Sequence, residues 1–153
     1  MSDSTLLKLS LPSAGLSKGE GAKLDIEADT GRTGVAEVWE LDRSSYAAVK
    51  AFATRAAGLD RLDAVVLNAG LATQKFELME GNESQITVNV ANTMLLTLLL
   101  LPTLLRSAEK CNTTPILTII GSEVHAYTTF PERKAENIFD MLNDPTKARM
   151  MDR

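Results

Sequence analysis

A single cysteine, Cys111, leaves no possibility of an internal disulfide, and a single histidine, His125, cannot make a metal site alone. Basic residues are the minority: 16 Lys and Arg against 20 Asp and Glu give a net charge of −4. A nucleic-acid binder would show a basic face, so no nucleic-acid partner is expected. A targeting segment is also lacking, because the first residues carry Asp3 without a cationic cluster and Leu6–Leu11 is broken by Lys8 and Ser10. The longest apolar run, Met94–Leu105, contains Thr97 and Pro102 and falls short of the about 20 residues that span a bilayer. These absences point to a cytoplasmic protein with no membrane association. In that setting the sequons at Asn82 and Asn112 carry no meaning.

What is present suits one α/β domain over 1–153, with 44% hydrophobic residues. Residues 1–34 are crowded with glycine (Gly15, Gly19, Gly21, Gly31, Gly34), around a stretch Ala22–Asp29 long enough for two helical turns. Val35–Leu41 is β-branched and aromatic and reads as a strand ending at Asp42. Ser44 or Ser45 can cap a helix whose apolar residues Tyr46, Val49, Phe52 and Ala56 recur at helical spacing, and Gly58 ends it. Leu62–Leu67 is nearly all apolar, the pattern of a parallel strand buried on both faces, and is followed by Asn68-Ala69-Gly70. A polar loop, Thr73–Gly81, leads to a long helix over Ser84–Glu109, apolar almost all round and so expected to be buried on more than one side. Ile116–Ile120 is a further strand, broken at Gly121-Ser122, and a short helix is expected within Ala135–Leu142.

Strand, helix, strand, helix, strand is the grammar of a Rossmann-like, doubly wound parallel sheet, in which ligands lie at the carboxyl ends of the strands. Three strands here end in polar residues: Asp42, Asn68 and Ser122.

Leu62–Gly70 closely resembles the strand and Asn-Ala-Gly motif of the short-chain dehydrogenases/reductases. Three more matches follow in the family's order. Leu41-Asp42 with Ser44-Ser45 is similar to the segment after its third strand, Ile86–Val90 to the start of its long helix, and Ile119–His125 to the strand that presents its serine. The wording is nearest to fungal members, which suggests secondary metabolism. The resemblance implies NADP (or NAD) as cofactor and a small carbonyl or alcohol as substrate. It implies that Asp42 contacts adenine, that Asn68-Ala69-Gly70 lies along the adenosine ribose, and that Asn89 holds a water in the proton relay. Ser122 would donate a hydrogen bond to the substrate oxygen as charge develops there. His125 is read as a rim residue.

Two strings imitate the family's remaining motifs. Gly15-Leu16-Ser17-Lys18-Gly19-Glu20-Gly21 has phosphate-loop spacing, but it lies too close to Asp42 and puts the Glu20 carboxylate where a phosphate would sit. Lys18-Gly19-Glu20 instead resembles the opening of the helix after the family's second strand. Tyr46 and Lys50 have Tyr-x-x-x-Lys spacing but precede Asn68, on a helix expected to pack on the sheet. Tyr127 has Pro131 where the lysine should stand. The expectation is therefore a single, incomplete domain that starts near the family's second strand and stops, at Lys147–Arg153, just before its catalytic tyrosine. Such a chain would turn over little, losing about 10²–10⁴ in rate with its general acid. The alternative is a non-catalytic interaction protein, forming a homo-oligomer through helix 84–109. The basic residue that would favour a 2′-phosphate is missing at Ala14.

Overall fold

A computed structural model of the chain describes residues 7–12 and 15–150. Ala14, where cofactor choice was read, and residues 151–153 lie outside the described residues. In chain order the elements are β1 (Leu7–Pro12), α1 (Leu16–Thr30), β2 (Ala36–Leu41), α2 (Tyr46–Ala57), β3 (Ala64–Leu67), β4 (Leu78–Met79) and β5 (Asn82–Glu83). A π-helical segment, Ile86–Ala91, then runs into α3 (Asn92–Cys111), followed by β6 (Ile116–Ile119), 3-10 turns at Glu123–Ala126 and Pro131–Lys134, and α4 (Ile138–Leu142).

The strands are parallel where the crossovers require it. β1 pairs with β2 from Leu7 opposite Ala36 to Pro12 opposite Leu41, across α1. β3 pairs with β6 from Ala64 opposite Ile116 to Leu67 opposite Ile119, across α3. Among the described residues no ladder joins the two pairs, so the doubly wound sheet is partial. β4 and β5 form a hairpin inside the expected loop. Its two turn residues, Glu80 (φ 52°) and Gly81 (φ 81°), both take the left-handed conformation of a tight type I′ hairpin turn.

One core serves both strand pairs. Val49, Ala53 and Ala56 form the inner face of α2 and meet Trp39 and Leu41 of β2, Leu67 of β3, and Leu96 and Leu100 of α3. Trp39 packs edge-on to Phe52 with ring centroids 5.7 Å apart, and the Arg55 guanidinium lies 3.8 Å from the Trp39 ring centroid. Ser45, rather than Ser44, caps α2, accepting a hydrogen bond from the Ala48 N–H. The C-terminal part of α3 is bolted to the α2–β3 connection: Ser107 Oγ accepts from Leu62 N–H at 2.8 Å and Arg106 donates to the Ala57 carbonyl at 2.7 Å.

Three expectations are corrected. The helix expected over Ala22–Asp29 runs from Leu16 to Thr30, straight through Gly19 and Gly21, and stops at Gly31 (φ 63°). β3 is not buried on both faces: Val65 and Leu67 pack on the core, whereas Ala64 and Val66 are exposed. The long helix is buried on one side only, because α2 and the strands cover one stripe of α3, including Thr93, Leu96, Leu100, Thr103 and Ser107. Val90, Met94, Leu98, Leu101 and Leu105 form an exposed apolar stripe at spacings of three and four. By length and composition, Ile86–Cys111 is long and apolar enough to cross a membrane, which the shorter run Met94–Leu105 did not reveal. Its packed stripe carries Asn92, Thr93, Thr103 and Ser107 against the domain, which is how a core helix is built.

Candidate active site

The carboxyl ends of β2, β3 and β6 present the residues singled out in the sequence. Asp42 follows β2, half-buried, and its Oδ1 accepts both the Ser44 N–H at 2.8 Å and the Ser44 hydroxyl at 2.6 Å. The carboxylate is thereby held still, and its Oδ2 makes no hydrogen bond among the described residues. Asn68 follows β3 and is exposed, with no side-chain hydrogen bond among the described residues. The β3–β6 ladder continues past both strands, with Ile120 N–H donating to the Leu67 carbonyl at 3.0 Å, so Ser122 leaves β6 at the same rim as Asn68.

Asn89 lies in the π-helical segment, and both ends of its amide are used. Its Oδ1 accepts from Leu71 N–H and its Nδ2 donates to the Leu71 carbonyl, each at 2.8 Å. The turn after Asn68 is thus pinned by Asn89. A side chain at Gly70 would intrude, since a Cβ built there would lie 3.3 Å from Asn89 Oδ1. The constraint at Gly70 is one of close approach rather than backbone angle, since a Cβ there would push on Asn89 Oδ1.

Ser122 is the N-cap of the 3-10 turn Glu123–Ala126, its Oγ accepting from Val124 N–H at 3.2 Å. The hydroxyl proton remains available to donate outward. His125 Nδ1 lies 2.6 Å from the Ser122 carbonyl, so the proton is on Nδ1 and the ring braces the turn. No hydrogen bond among the described residues connects the Ser122 side chain to Asn68 or Asn89. The structure therefore joins the turn after β3 to Asn89 directly and Ser122 to that turn through the β3–β6 register, while the Asp42 side chain hydrogen-bonds only to Ser44 among the described residues.

Sequence reasoning missed Arg43. It is 3% exposed and no carboxylate pairs with it among the described residues. Its Nη1 donates to the Ala69 carbonyl, and its Nη2 donates to the Val88 carbonyl at 2.8 Å and to Thr93 Oγ1. Burial lowers the guanidinium pKa from its ordinary value. The available signal was slight: a single cation directly after Asp42, in a segment where arginine is ordinarily a solvated surface residue.

Neither imitative string joins this rim. Gly15 is the N-cap of α1, Gly19 and Gly21 are inside the helix, and Glu20 faces Lys23 at 3.9 Å. Tyr46 and Lys50 lie in the first turns of α2, the Tyr46 N–H donating to Glu80 Oε1 at 2.8 Å. Tyr127 is exposed just after the Ser122 turn.

No family model matches the chain. Curated relatives do. Short-chain dehydrogenase anuD of Penicillium roqueforti is 42% identical over 146 residues, covering 95% of this chain and 38% of that protein. Short chain dehydrogenase atnD of Emericella nidulans is 44% identical over 140 residues, covering 90% of this chain and 45% of that protein. Among solved structures, the short-chain dehydrogenase from Sphingobium yanoikuyae in complex with NADPH superposes with a TM-score of 0.61 at 22% identity, over 92% of this chain and 51% of that one. The chain spans less than half the length of these two curated relatives. At 42–44% identity over 90% or more of its length, the chain belongs to the short-chain dehydrogenase/reductase family.

Proposed function

We propose that the chain carries the adenosine-side and carbonyl-side parts of an NADP(H)-linked oxidoreductase site acting on a small carbonyl or alcohol. The observation that carries the reading is the placement of Asn68 and Ser122 just past the carboxyl ends of the paired parallel strands β3 and β6, with Asn89 locked onto the turn after Asn68 and Asp42 just past the end of β2. The NADPH held by the Sphingobium neighbour supports the choice of cofactor.

The residues present fit the adenosine end of such a cofactor. Asp42 Oδ2 is uncommitted among the described residues and can accept from an adenine amino group, and exposed Asn68 leads into Gly70, which leaves the ribose edge open. A glycine turn for the pyrophosphate is not found among the described residues, because the glycines of the 15–21 string belong to α1. When bound, the nicotinamide supplies or takes up the hydride. The chain's own part is to orient: Ser122 donates to the substrate oxygen as it gains negative charge, and Asn89 holds its end of the proton path. No tyrosine–lysine pair stands beside Ser122 among the described residues, so turnover by these residues alone is set about 10²–10⁴ below that of a complete site.

The test is a fluorescence titration with NADPH, alongside NADPH oxidation with simple ketones and aldehydes. Binding should weaken in Asp42→Ala and be displaced by adenosine 2′-phosphate. NADPH binding indifferent to both would sink the adenosine assignment, and brisk turnover abolished by Ser122→Ala would refute the slow-turnover expectation.

A second reading is favoured by the exposed stripe Val90, Met94, Leu98, Leu101 and Leu105 on and just before α3. A continuous apolar face of this kind marks an interaction surface, and we propose a soluble, cytoplasmic homodimer through it.

A further inference from the structure

The Arg43 side chain lies between four segments and is paired with no carboxylate among the described residues. An arginine in this position is costly, because a buried charge is unfavourable unless it is paired and fully hydrogen-bonded. Three of its donor contacts go to neutral oxygens, the Ala69 and Val88 carbonyls and Thr93 Oγ1, and its Nε has no partner among the described residues. Its own carbonyl accepts from Asn92 Nδ2 at 2.7 Å, which closes the cluster from the other side. An apolar residue of the same length could fill the space but could not tie these segments together.

The segments it ties are those that set Asn89. Residues 86–91 are π-helical, and the Asn92 N–H reaches back five residues to the Thr87 carbonyl instead of four to Val88. The Val88 carbonyl accepts from Arg43 Nη2 at 2.8 Å and from the Thr93 hydroxyl at 3.0 Å. The same guanidinium holds the Ala69 carbonyl, one residue after Asn68. One rigid, planar donor group therefore satisfies the carbonyl that Asn92 N–H leaves and anchors the turn that Asn89 grips through Leu71. Inserted turns of this type recur at functional sites, where they re-aim a side chain.

We infer that Arg43 is a positioning residue, which stabilises the π-turn and sets Asn89 and the Asn68–Ala69–Gly70 turn at a fixed mutual distance. The role assigned to that distance rests on the function proposed above, but the geometry is testable without any turnover.

Hydrogen exchange and the side-chain amide resonances of Asn89, followed by NMR in the full 153-residue chain, separate the possibilities. Arg43→Met keeps length and removes every donor; Arg43→Lys keeps the charge as a single donor group. In Arg43→Met the Leu71 amide should exchange at least roughly tenfold faster and the Asn89 amide resonances should move. The amides of Ala48 and Leu59, in and just after α2, should stay within about twofold of wild type. Arg43→Lys should fall between. Leu71 protection within about twofold of wild type in a folded Arg43→Met protein would overturn the inference, as would uniform loosening of all these amides. If Arg43→Met does not fold, Thr93→Val decides, since it removes one acceptor of Arg43 and one donor to Val88 and should loosen Leu71 by a smaller factor. No local loosening in Thr93→Val and Arg43→Lys would likewise overturn it. A separate NADPH titration keeps the functional proposal apart: lack of binding by wild type would count against the site, and the exchange pattern would still decide the role of Arg43.

Discussion

Replacing Leu98 and Leu105 by alanine should dissociate the proposed homodimer without unfolding the protomer. Both leucines lie on the uncovered side of α3 and are 64% and 63% exposed. Leucine to alanine removes three carbons, worth about 2.4 kcal/mol at roughly 0.8 kcal/mol per fully buried carbon. Only the fraction still exposed in the protomer can be buried by a partner, so each leucine contributes about 1.5 kcal/mol to association. A two-fold interface uses each substitution twice, which brings the loss to roughly 6 kcal/mol, or about four orders of magnitude in Kd. The protomer itself should lose at most about 1.7 kcal/mol for the two sites, from the roughly one third of each side chain already covered, and alanine's helix propensity offsets part of that. Sedimentation equilibrium measures the association and thermal unfolding monitors the fold. A wild-type chain that stays monomeric at the highest soluble concentration would refute the reasoning, as would a dimer whose Kd is unmoved by the double substitution.

Three further outcomes follow from the packing. Leu96, at the centre of the core shared by both strand pairs, should cost about 2–5 kcal/mol on replacement by alanine, read by urea unfolding. Glu132 is buried and neither carboxylate oxygen has a hydrogen-bond partner among the described residues, so Glu132→Gln should raise stability by about 1–3 kcal/mol; a lower urea midpoint would show that the carboxylate is used. Asp144 is held down to about 2 by hydrogen bonds from the Thr146 side chain, Lys147 and the Thr146 backbone. A depressed carboxylate stabilises the folded turn above its ordinary value of 3.8 and loses that contribution as pH falls toward 2. An NMR titration of the Thr146 amide should therefore show its midpoint near 2, and a midpoint near 4 would disprove the hydrogen-bonded turn.

Much of the fold was readable along the chain because local physics matched the final environment. Strand ends at Asp42 and Asn68 and the α2 cap agree with the structure within a residue or two, since β-branched runs, turn residues and a capping serine act over short range. The α1 helix was misjudged because five glycines between 15 and 34 argue locally against a helix, and only packing shows that Gly19 is buried in one. The hairpin turn at Glu80 was hidden for a similar reason: a glutamate gives no sign that it will take a positive φ.

The candidate site divides along the same line. Asp42, Asn68, Asn89 and Ser122 could be named from the sequence, because each stands in a short run whose residue types and order survive without knowledge of the fold. Which of them are coupled was decided only in three dimensions. Arg43 and Val88 are 45 positions apart, and Asn89 and Leu71 are 18 apart, so no local pattern reports their contacts. The same holds for what is covered. Val66 and Leu98 are as apolar as their buried neighbours, and hydropathy marks all of them as core. Burial depends on which elements lie on each face, and that is a property of the assembled structure rather than of any segment in it.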